Sequence, residues 1–122
     1  MRASVTTAAF TLGSAIAVAS LFIHADSHTS VSEQDVSNVL AVSNDVAYGE
    51  YLAGECASCH ATTAVSGSNV PVIHGASSEH IAQALLEYRN GIRENSTMKN
   101  VASALGDEEI AALAHFLAQQ TK

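Results

Sequence analysis

The sequence predicts an all-α protein of one domain, and three observations support that class. Apolar residues recur at three- and four-residue spacing in three segments, 45–55, 77–90 and 106–117. Each segment begins with a residue suited to a helix N-terminus. No stretch shows the alternation of apolar and polar residues that indicates a half-buried strand. A chain of 122 residues is long enough for one such domain.

The first 25 residues have the composition of a secretory signal peptide. Arg2 supplies one positive charge, residues 3–23 carry none, and small residues precede a candidate cleavage site after Ala25. We expect residues 1–25 to direct export. The competing interpretation is an uncleaved membrane anchor, since about 20 apolar residues can span a bilayer.

Residues 26–44 are polar and rich in serine, which predicts a flexible lead. A short helix over residues 33–42 is the alternative. We expect the folded domain to occupy residues 45–122.

The first strongly predicted helix covers Asp45 to Glu55. Asp45 is a suitable N-cap because its carboxylate can accept a hydrogen bond from a free backbone N–H of the first turn. Tyr48 and Leu52 then follow at helical spacing. Gly49 weakens intrinsic helicity, but its small size permits another helix to approach closely.

Two further helices and a shorter one complete the domain. Ser77 can cap a helix over residues 77–90, which an Asn-Gly pair ends. Residues 95–105 predict a loop rich in Ser, Thr and Asn that leads into a short helix. The last helix opens at Gly106, and three acidic residues follow where the helix dipole is positive.

Residues 56–60, Cys-Ala-Ser-Cys-His, have the C-x-x-C-H pattern of a c-type haem attachment site. In such a site the two thiols form thioether bonds to the porphyrin, and the adjoining imidazole can ligate the iron. Both cysteines of the chain lie inside this motif. We therefore expect one covalent haem c.

Three other sites could use the same cysteines. A disulfide needs only the two thiols, whereas a thiol-redox motif usually lies between a strand and a helix, and strands are not predicted. A structural zinc site commonly has four ligands, and the spacing of His74 and His80 does not fit one. An export signal together with His60 favours haem over all three.

Met98 is the leading candidate for the second axial ligand. It is the one methionine after the predicted signal peptide, and it lies in the polar run 95–100 instead of an apolar stripe. Because a thioether favours the reduced metal, His/Met ligation would raise the reduction potential. The alternative is that Met98 fills the core. The other histidines of the domain are weaker candidates for this role: His74, His80 and His115.

Pro71 is the only proline and lies at the end of the loop that follows the motif. A metal-bound histidine usually donates its second ring N–H to a carbonyl or carboxylate. We predict that the Pro71 carbonyl accepts this bond from His60. The alternative is a proline that only stiffens the loop.

These features resemble a small bacterial class I cytochrome c. The resemblance covers about residue 45 to the C-terminus, and it is carried by Gly49–His60, Pro71, Gly75, Met98 and Leu105–Leu117. The monohaem group that includes the cytochrome subunits of flavocytochrome c sulfide dehydrogenase is the most similar. Ala61 and Gly106 depart from the Gly and the Ser that are common there, and neither departure affects haem binding.

The resemblance implies a class I cytochrome c fold, with three to five helices wrapped around one covalently bound haem. It assigns thioether bonds to Cys56 and Cys59, and iron ligation to His60 and Met98. It also implies that the first and last predicted helices cross near the haem, with Leu52 and Phe116 in that contact. With less support from motifs, it places Tyr88 and Arg93 near the haem or its propionates.

An iron with both axial positions filled has no open site for a substrate. The expected function is therefore periplasmic one-electron transfer through weak, transient docking to redox partners, not catalysis. One alternative is the dedicated cytochrome subunit of an oxidoreductase in which a flavoprotein performs sulfide chemistry. Another is a sensor or a small-ligand enzyme, which would require an open iron position.

The chain has a net charge of −7, which argues against nucleic-acid binding because such binding relies on Lys and Arg. Contact with a membrane is expected only if the N-terminal segment stays uncleaved. Arg89, Arg93 and Lys99 cluster near Met98 in the sequence. We predict that they form a basic rim that orients an acidic partner. The alternative is that the two arginines only solvate the end of their helix.

Overall fold

The computed structural model describes residues 30–121, so the predicted signal peptide or anchor lies outside the described residues. This part of the chain contains five helices and no strand, which confirms the all-α prediction. In chain order the helices are α1 Glu33–Leu40, α2 Val46–Ala57, α3 Ser78–Arg89, α4 Ser96–Ser103 and α5 Asp107–Ala118. Over residues 30–121, no helix has the length and apolar character needed to cross a bilayer.

The predicted helix starts are present in the structure. The Asp45 carboxylate accepts the Tyr48 N–H at 2.9 Å and begins α2. The Ser77 hydroxyl accepts the His80 N–H at 3.2 Å and begins α3. Each bond satisfies a backbone donor that has no partner within its helix, which is why both residues end the preceding loop.

Gly106 begins α5 without a side chain that could cap it. The carboxylate of Glu109 instead accepts the Gly106 N–H at 3.0 Å. The same carboxylate group accepts a hydrogen bond from the Tyr48 hydroxyl at 3.3 Å, which joins the start of α2 to the start of α5. Partial burial, followed by the negative charge of Glu109, raises the pKa of Tyr48, which fits a hydroxyl that donates to this carboxylate.

Helix α5 lies at the centre of the described domain. It packs against α1, α2 and α3, and its residues 110–114 are all buried. Three of those five residues are alanine, so neighbouring helices can approach α5 on more than one side. The rest of the core comes largely from α3. The larger core side chains are Ile81, Leu85, Leu86, Ile110, Leu113 and Leu117.

The crossing of α2 and α5 depends on Gly49. A Cβ atom at this position would collide with the carbonyl oxygen of Ala112, and it would lie 2.7 Å from the carbonyl carbon of that residue. It would also lie 2.8 Å from the Cβ of Phe116. Since backbone and Cβ atoms cannot rotate away, only glycine permits this helix separation. The predicted crossing is confirmed, with Phe116 in it, and Leu52 packs beside the core.

The prediction of a flexible lead over residues 26–44 is wrong for residues 33–40, which form α1. Ser32 and Asp35 close its first turn reciprocally, with N–H to side-chain oxygen distances of 3.1 and 3.2 Å. Val36 and Val39 are buried, and the helix packs against α3 and α5. The alternative of a short helix over residues 33–42 is therefore the correct one, although two buried valines in a polar run give only a weak helical period.

His115 fastens the end of α1 to α5. Its Nε2 donates to the carbonyl of Leu40, the last residue of α1, at 3.1 Å. The last carbonyls of a helix have no partner within the helix, so this bond satisfies one of them. The contact gives His115 a structural role in the described domain.

Replacing Gly49 by Ala should destabilise the haem-loaded protein by about 1–3 kcal/mol, because the added methyl group forces α2 and α5 apart. The free energy of unfolding, measured by chemical denaturation, checks this expectation. Gly54→Ala is the matched control, since Gly54 lies on the same helix and a Cβ there meets nothing within 4 Å. That variant should be more stable than the parent, by up to about 1 kcal/mol, because alanine favours a helix over glycine. A Gly49→Ala protein as stable as Gly54→Ala would contradict this view of the crossing.

Candidate haem-attachment site

The C-x-x-C-H motif lies at the C-terminal end of α2. The N–H groups of Cys59 and His60 both bond to the carbonyl of Cys56, at 3.2 and 2.9 Å. This turn keeps the two cysteines close together at the end of one helix. Both thiols are free, so each is available for a thioether bond. Cys59 is exposed and Cys56 half-buried, and burial raises the pKa of the Cys56 thiol.

His60 is the only polar residue among the buried residues of the described chain. Its Nδ1 lies 2.7 Å from the carbonyl oxygen of Pro71, which accepts the hydrogen bond. Because Nδ1 is occupied in this way, Nε2 is the ring nitrogen that remains to bind a metal. The hydrogen bond that we predicted between these two residues is therefore present in the structure.

The loop that carries Pro71 is fixed where it returns to the helices. Residues 61–70 are exposed throughout. The N–H of Gly75 then donates to the carbonyl of Leu117, near the end of α5, at 2.9 Å. Gly75 has a φ of 69°, a conformation that glycine adopts at little cost. The carbonyl that orients His60 thus lies four residues before a fixed contact with α5.

Met98 lies in the first turn of α4, where the sequence had predicted a loop. Asn95 causes the difference: its side-chain oxygen accepts the Met98 N–H at 3.0 Å and starts the helix at Ser96. The Met98 side chain is half-buried and packs against the core. An Asn three residues before Met98 is a recognisable N-cap signal, so the sequence could have revealed this start.

His60 follows the end of α2 and Met98 lies on α4, and these two helices do not pack against each other. Among the described helices, α2 packs only against α5, and α4 packs only against α3. Half-buried apolar side chains on these elements and on the loop between them border the core. They are Leu52, Cys56, Ile73, Tyr88, Met98 and Phe116. Two free thiols, an imidazole nitrogen, a thioether and this apolar surface are the groups that a covalently attached haem needs.

No alternative metal site is found in residues 30–121. The structure brings together no group of three histidine, cysteine or acidic side chains in this part of the chain. This arrangement gives no support to the zinc alternative, which needs about four ligands. The free thiols likewise give none to the disulfide.

Tyr88 and Arg93 lie next to each other. The Arg93 guanidinium lies 5.5 Å from the centre of the Tyr88 ring, within cation–π range. It also pairs with the Glu87 carboxylate at 2.8 Å. Tyr88 is half-buried against the core, whereas Arg93 is exposed. The contact of either residue with haem or its propionates stays a prediction.

The predicted basic rim is wrong, because a carboxylate lies beside each of its three cations. The ion pairs are Arg89–Asp107 at 2.7 Å, Arg93–Glu87 at 2.8 Å and Lys99–Glu94 at 2.9 Å. Arg89 also donates to the carbonyl of Leu105 at 3.2 Å, so it ties α3 to the turn before α5. Glu87 and Glu94 lie close to these cations in the sequence, and only Arg89–Asp107 joins two separate helices, so counting the basic residues alone was misleading.

Known proteins resemble much of this chain in sequence. Residues 46–121 match the family model for cytochrome c. Over 74 residues the chain is 38% identical to the cytochrome subunit of sulfide dehydrogenase from Chlorobaculum tepidum, a match that covers 61% of this chain and 67% of that protein. Over 68 residues it is 31% identical to the thiosulfate dehydrogenase electron acceptor from Stutzerimonas stutzeri, which covers 52% of this chain and 32% of that protein.

The family match begins at Val46, the first residue of α2, and it includes all the residues proposed to contact haem. Helix α1 lies outside it. The matched segment spans more than half of the chain and contains the attachment motif, the buried histidine and the half-buried methionine. The chain therefore belongs to the cytochrome c family, as an all-α electron-transfer protein, not an enzyme, that carries one covalent haem c.

Proposed function

We propose that this cytochrome is an exported, periplasmic one-electron carrier whose haem iron is ligated by His60 and Met98. The hydrogen bond from His60 Nδ1 to the Pro71 carbonyl carries the proposal. Metal-bound histidines are typically held through their second ring nitrogen, which fixes the orientation of the ring and raises its basicity. A buried imidazole held in this way at the end of a C-x-x-C-H motif can bind iron through its other nitrogen, Nε2.

Each of the proposed residues has a separate task. Haem c supplies a reversible one-electron couple. The Cys56 and Cys59 thiols would hold the group at the end of α2, and His60 would offer Nε2 to the iron. The Met98 thioether, on α4, would be a soft donor that favours reduced iron and so raises the potential. With both residues bound to the iron, no position would remain for a substrate.

Replacing Met98 by Ala should open one axial position of the iron. The oxidised protein should lose the far-red absorption band that a thioether–iron bond produces, its reduction potential should fall, and added imidazole should bind more tightly. Absorption spectra and a potentiometric titration measure these changes.

Val101→Ala is the control for this variant, because Val101 lies on the same short helix but is 42% exposed. It should leave the band and the potential unchanged. If Met98→Ala and the parent protein have the same absorption band and the same imidazole affinity, Met98 does not ligate the iron. Such a result would favour a sensor or a small-ligand enzyme.

The second candidate function is that of a dedicated subunit of an oxidoreductase. The 38% identity to a cytochrome subunit of sulfide dehydrogenase favours it. In that case a flavoprotein would perform the sulfide chemistry and pass electrons to this chain. Isolation of the protein from its native cells discriminates the two candidates. A flavoprotein that remains bound in equal amount selects the subunit, whereas the cytochrome alone selects the free carrier.

We also propose that residues 1–25 are removed during export. The sequence of the mature N-terminus, determined on protein from a periplasmic extract, should begin at Asp26. Recovery of the intact chain from the membrane fraction would instead support the uncleaved anchor.

We expect the redox partner to carry basic groups, because the exposed face of α2 is acidic. Glu50 and Glu55 are exposed on α2, the helix that ends in the attachment motif, and neither forms an ion pair within residues 30–121. The basic residues near Met98 are neutralised by their own carboxylates. Opposite charges across such a surface speed diffusional encounter, and salt weakens the effect.

Small redox reagents of opposite charge test this proposal. Reduction by the cation hexaammineruthenium(II) should slow as ionic strength rises, whereas oxidation by the anion hexacyanoferrate(III) should accelerate. Both dependences should weaken in the double variant Glu50→Gln/Glu55→Gln. Glu33→Gln is the control, because Glu33 lies on α1, which does not pack against α2. If Glu33→Gln weakened both ionic-strength dependences as much as the double variant does, the total charge of the protein, and not the charge on α2, would control the two rates.

A further inference from the structure

We infer that Asn95 is a positioning residue for Met98, and that its side chain holds the proposed ligand in place for the iron. The inference rests on the proposed His60/Met98 ligation and adds a residue that controls how firmly Met98 is held to the iron. It concerns the Asn95 side chain, whose oxygen contacts the backbone of the ligand itself.

The contact is a helix N-cap whose hydrogen-bond donor is the backbone N–H of the proposed ligand, Met98. Asn95 has an extended backbone, with a φ of −169° and a ψ of 115°, and its side-chain oxygen accepts the Met98 N–H at 3.0 Å. The carbonyl of Asn95 accepts the Lys99 N–H at 2.9 Å. Two consecutive residues, Met98 and Lys99, are therefore bound to one residue. Met98 sits where its backbone position depends directly on that residue.

Helix α4 has little else to hold it. It contains eight residues, which is too short for a helix to be stable by itself. Ala102 is its only buried residue, and among the described helices it packs only against α3. The cap therefore accounts for a larger share of the order in α4 than a cap does in a long, well-buried helix.

A second fastening lies beside the cap but is exposed. The Lys99 ammonium contacts both carboxylate oxygens of Glu94, at 2.9 and 3.0 Å. The Glu94 side chain is 83% exposed, and exposed ion pairs contribute little to stability. Asn95 is thus the stronger of the two local restraints on Met98.

Ser77 provides a matched comparison within the same chain. Its hydroxyl caps α3 by accepting the His80 N–H at 3.2 Å, which is the same type of bond to the same position of the helix. Helix α3 has twelve residues, four of them buried, and carries neither proposed ligand. Loss of this cap should weaken the fold without a specific effect on the iron.

The expected size follows from the typical strength of an N-cap. Removal of a capping side chain changes the equilibrium of its helix roughly fivefold. An added ligand binds only when Met98 has left the iron, so its apparent affinity scales with the population of that open state. Asn95→Ala should therefore bind imidazole roughly fivefold more tightly than the parent protein.

The experiment is an imidazole titration of the oxidised, haem-loaded protein as it is isolated from cells, with the far-red thioether–iron band recorded in parallel. Asn95→Ala should show the tighter binding and a weaker band. Ser77→Ala should lose a similar amount of stability to denaturant but keep the parent's imidazole affinity. Asn95→Asp, which retains the accepting oxygen, should restore the parent's behaviour. If Asn95→Ala does not fold, Asn95→Gly removes the same contact at lower cost and should shift the affinity in the same direction.

Three results would overturn the inference. Equal shifts in Asn95→Ala and Ser77→Ala would show that the effect is one of general stability. An Asn95→Asp protein that behaves like Asn95→Ala would show that the accepting oxygen is not what matters. A parent protein without the far-red band would overturn the His60/Met98 ligation itself, whereas a parent band that survives unchanged in Asn95→Ala overturns only the role of Asn95.

Discussion

The closeness of α2 and α5 at Gly49 is the constraint on which the haem-attachment site depends. The backbone of Ala112 occupies the space that any larger side chain at position 49 would need. Helix α2 packs against no other helix of the described chain, so this crossing largely sets the position of the motif at its end. The Pro71 loop is also fixed to α5, through the bond from Gly75 to Leu117. The imidazole of His60 and the carbonyl that orients it are therefore both positioned by α5.

The methionine side of the site has a different support. Met98 is on α4, which packs against α3, and α3 packs in turn against α5. Arg89 strengthens that chain of contacts by joining α3 to the turn before α5. The buried side chain of His60 is held by a partly buried hydrogen bond, whereas the backbone of Met98 is held by an exposed helix cap. The two proposed ligands therefore differ in how strongly the fold restrains them.

Much of this arrangement could be predicted from the sequence because it depends on local chemistry. Asp45 and Ser77 cap the helices that they precede, and a C-x-x-C-H motif needs no tertiary contact to be recognised. The need for a small residue at Gly49 and the bond to Pro71 were also predictable, since each follows from a general requirement of helix packing or metal ligation.

Two of the predictions that failed depend on contacts between distant parts of the chain, and a third missed a local signal. Val36 and Val39 form a helix because α3 and α5 offer a surface to cover, and the polar segment around them does not reveal that surface. Arg89 is paired with Asp107, a residue of another helix, so its contribution to surface charge could not be read from its sequence neighbours. The cap at Asn95 was a local signal, and it was missed because the run around it is polar.

The long sequence separation between Gly49 and Ala112 has a consequence for how the protein matures. Bringing these two residues together closes a loop of roughly 60 residues, whose entropic cost must be met before the contact gives any stability. Helix α2 therefore cannot dock until the chain has been synthesised as far as α5. Until then the two cysteines at its end stay in an unfolded segment, so that Cys56, which is half-buried in the folded domain, remains accessible. The topology thus delays the burial of the attachment motif until almost the whole domain has been made.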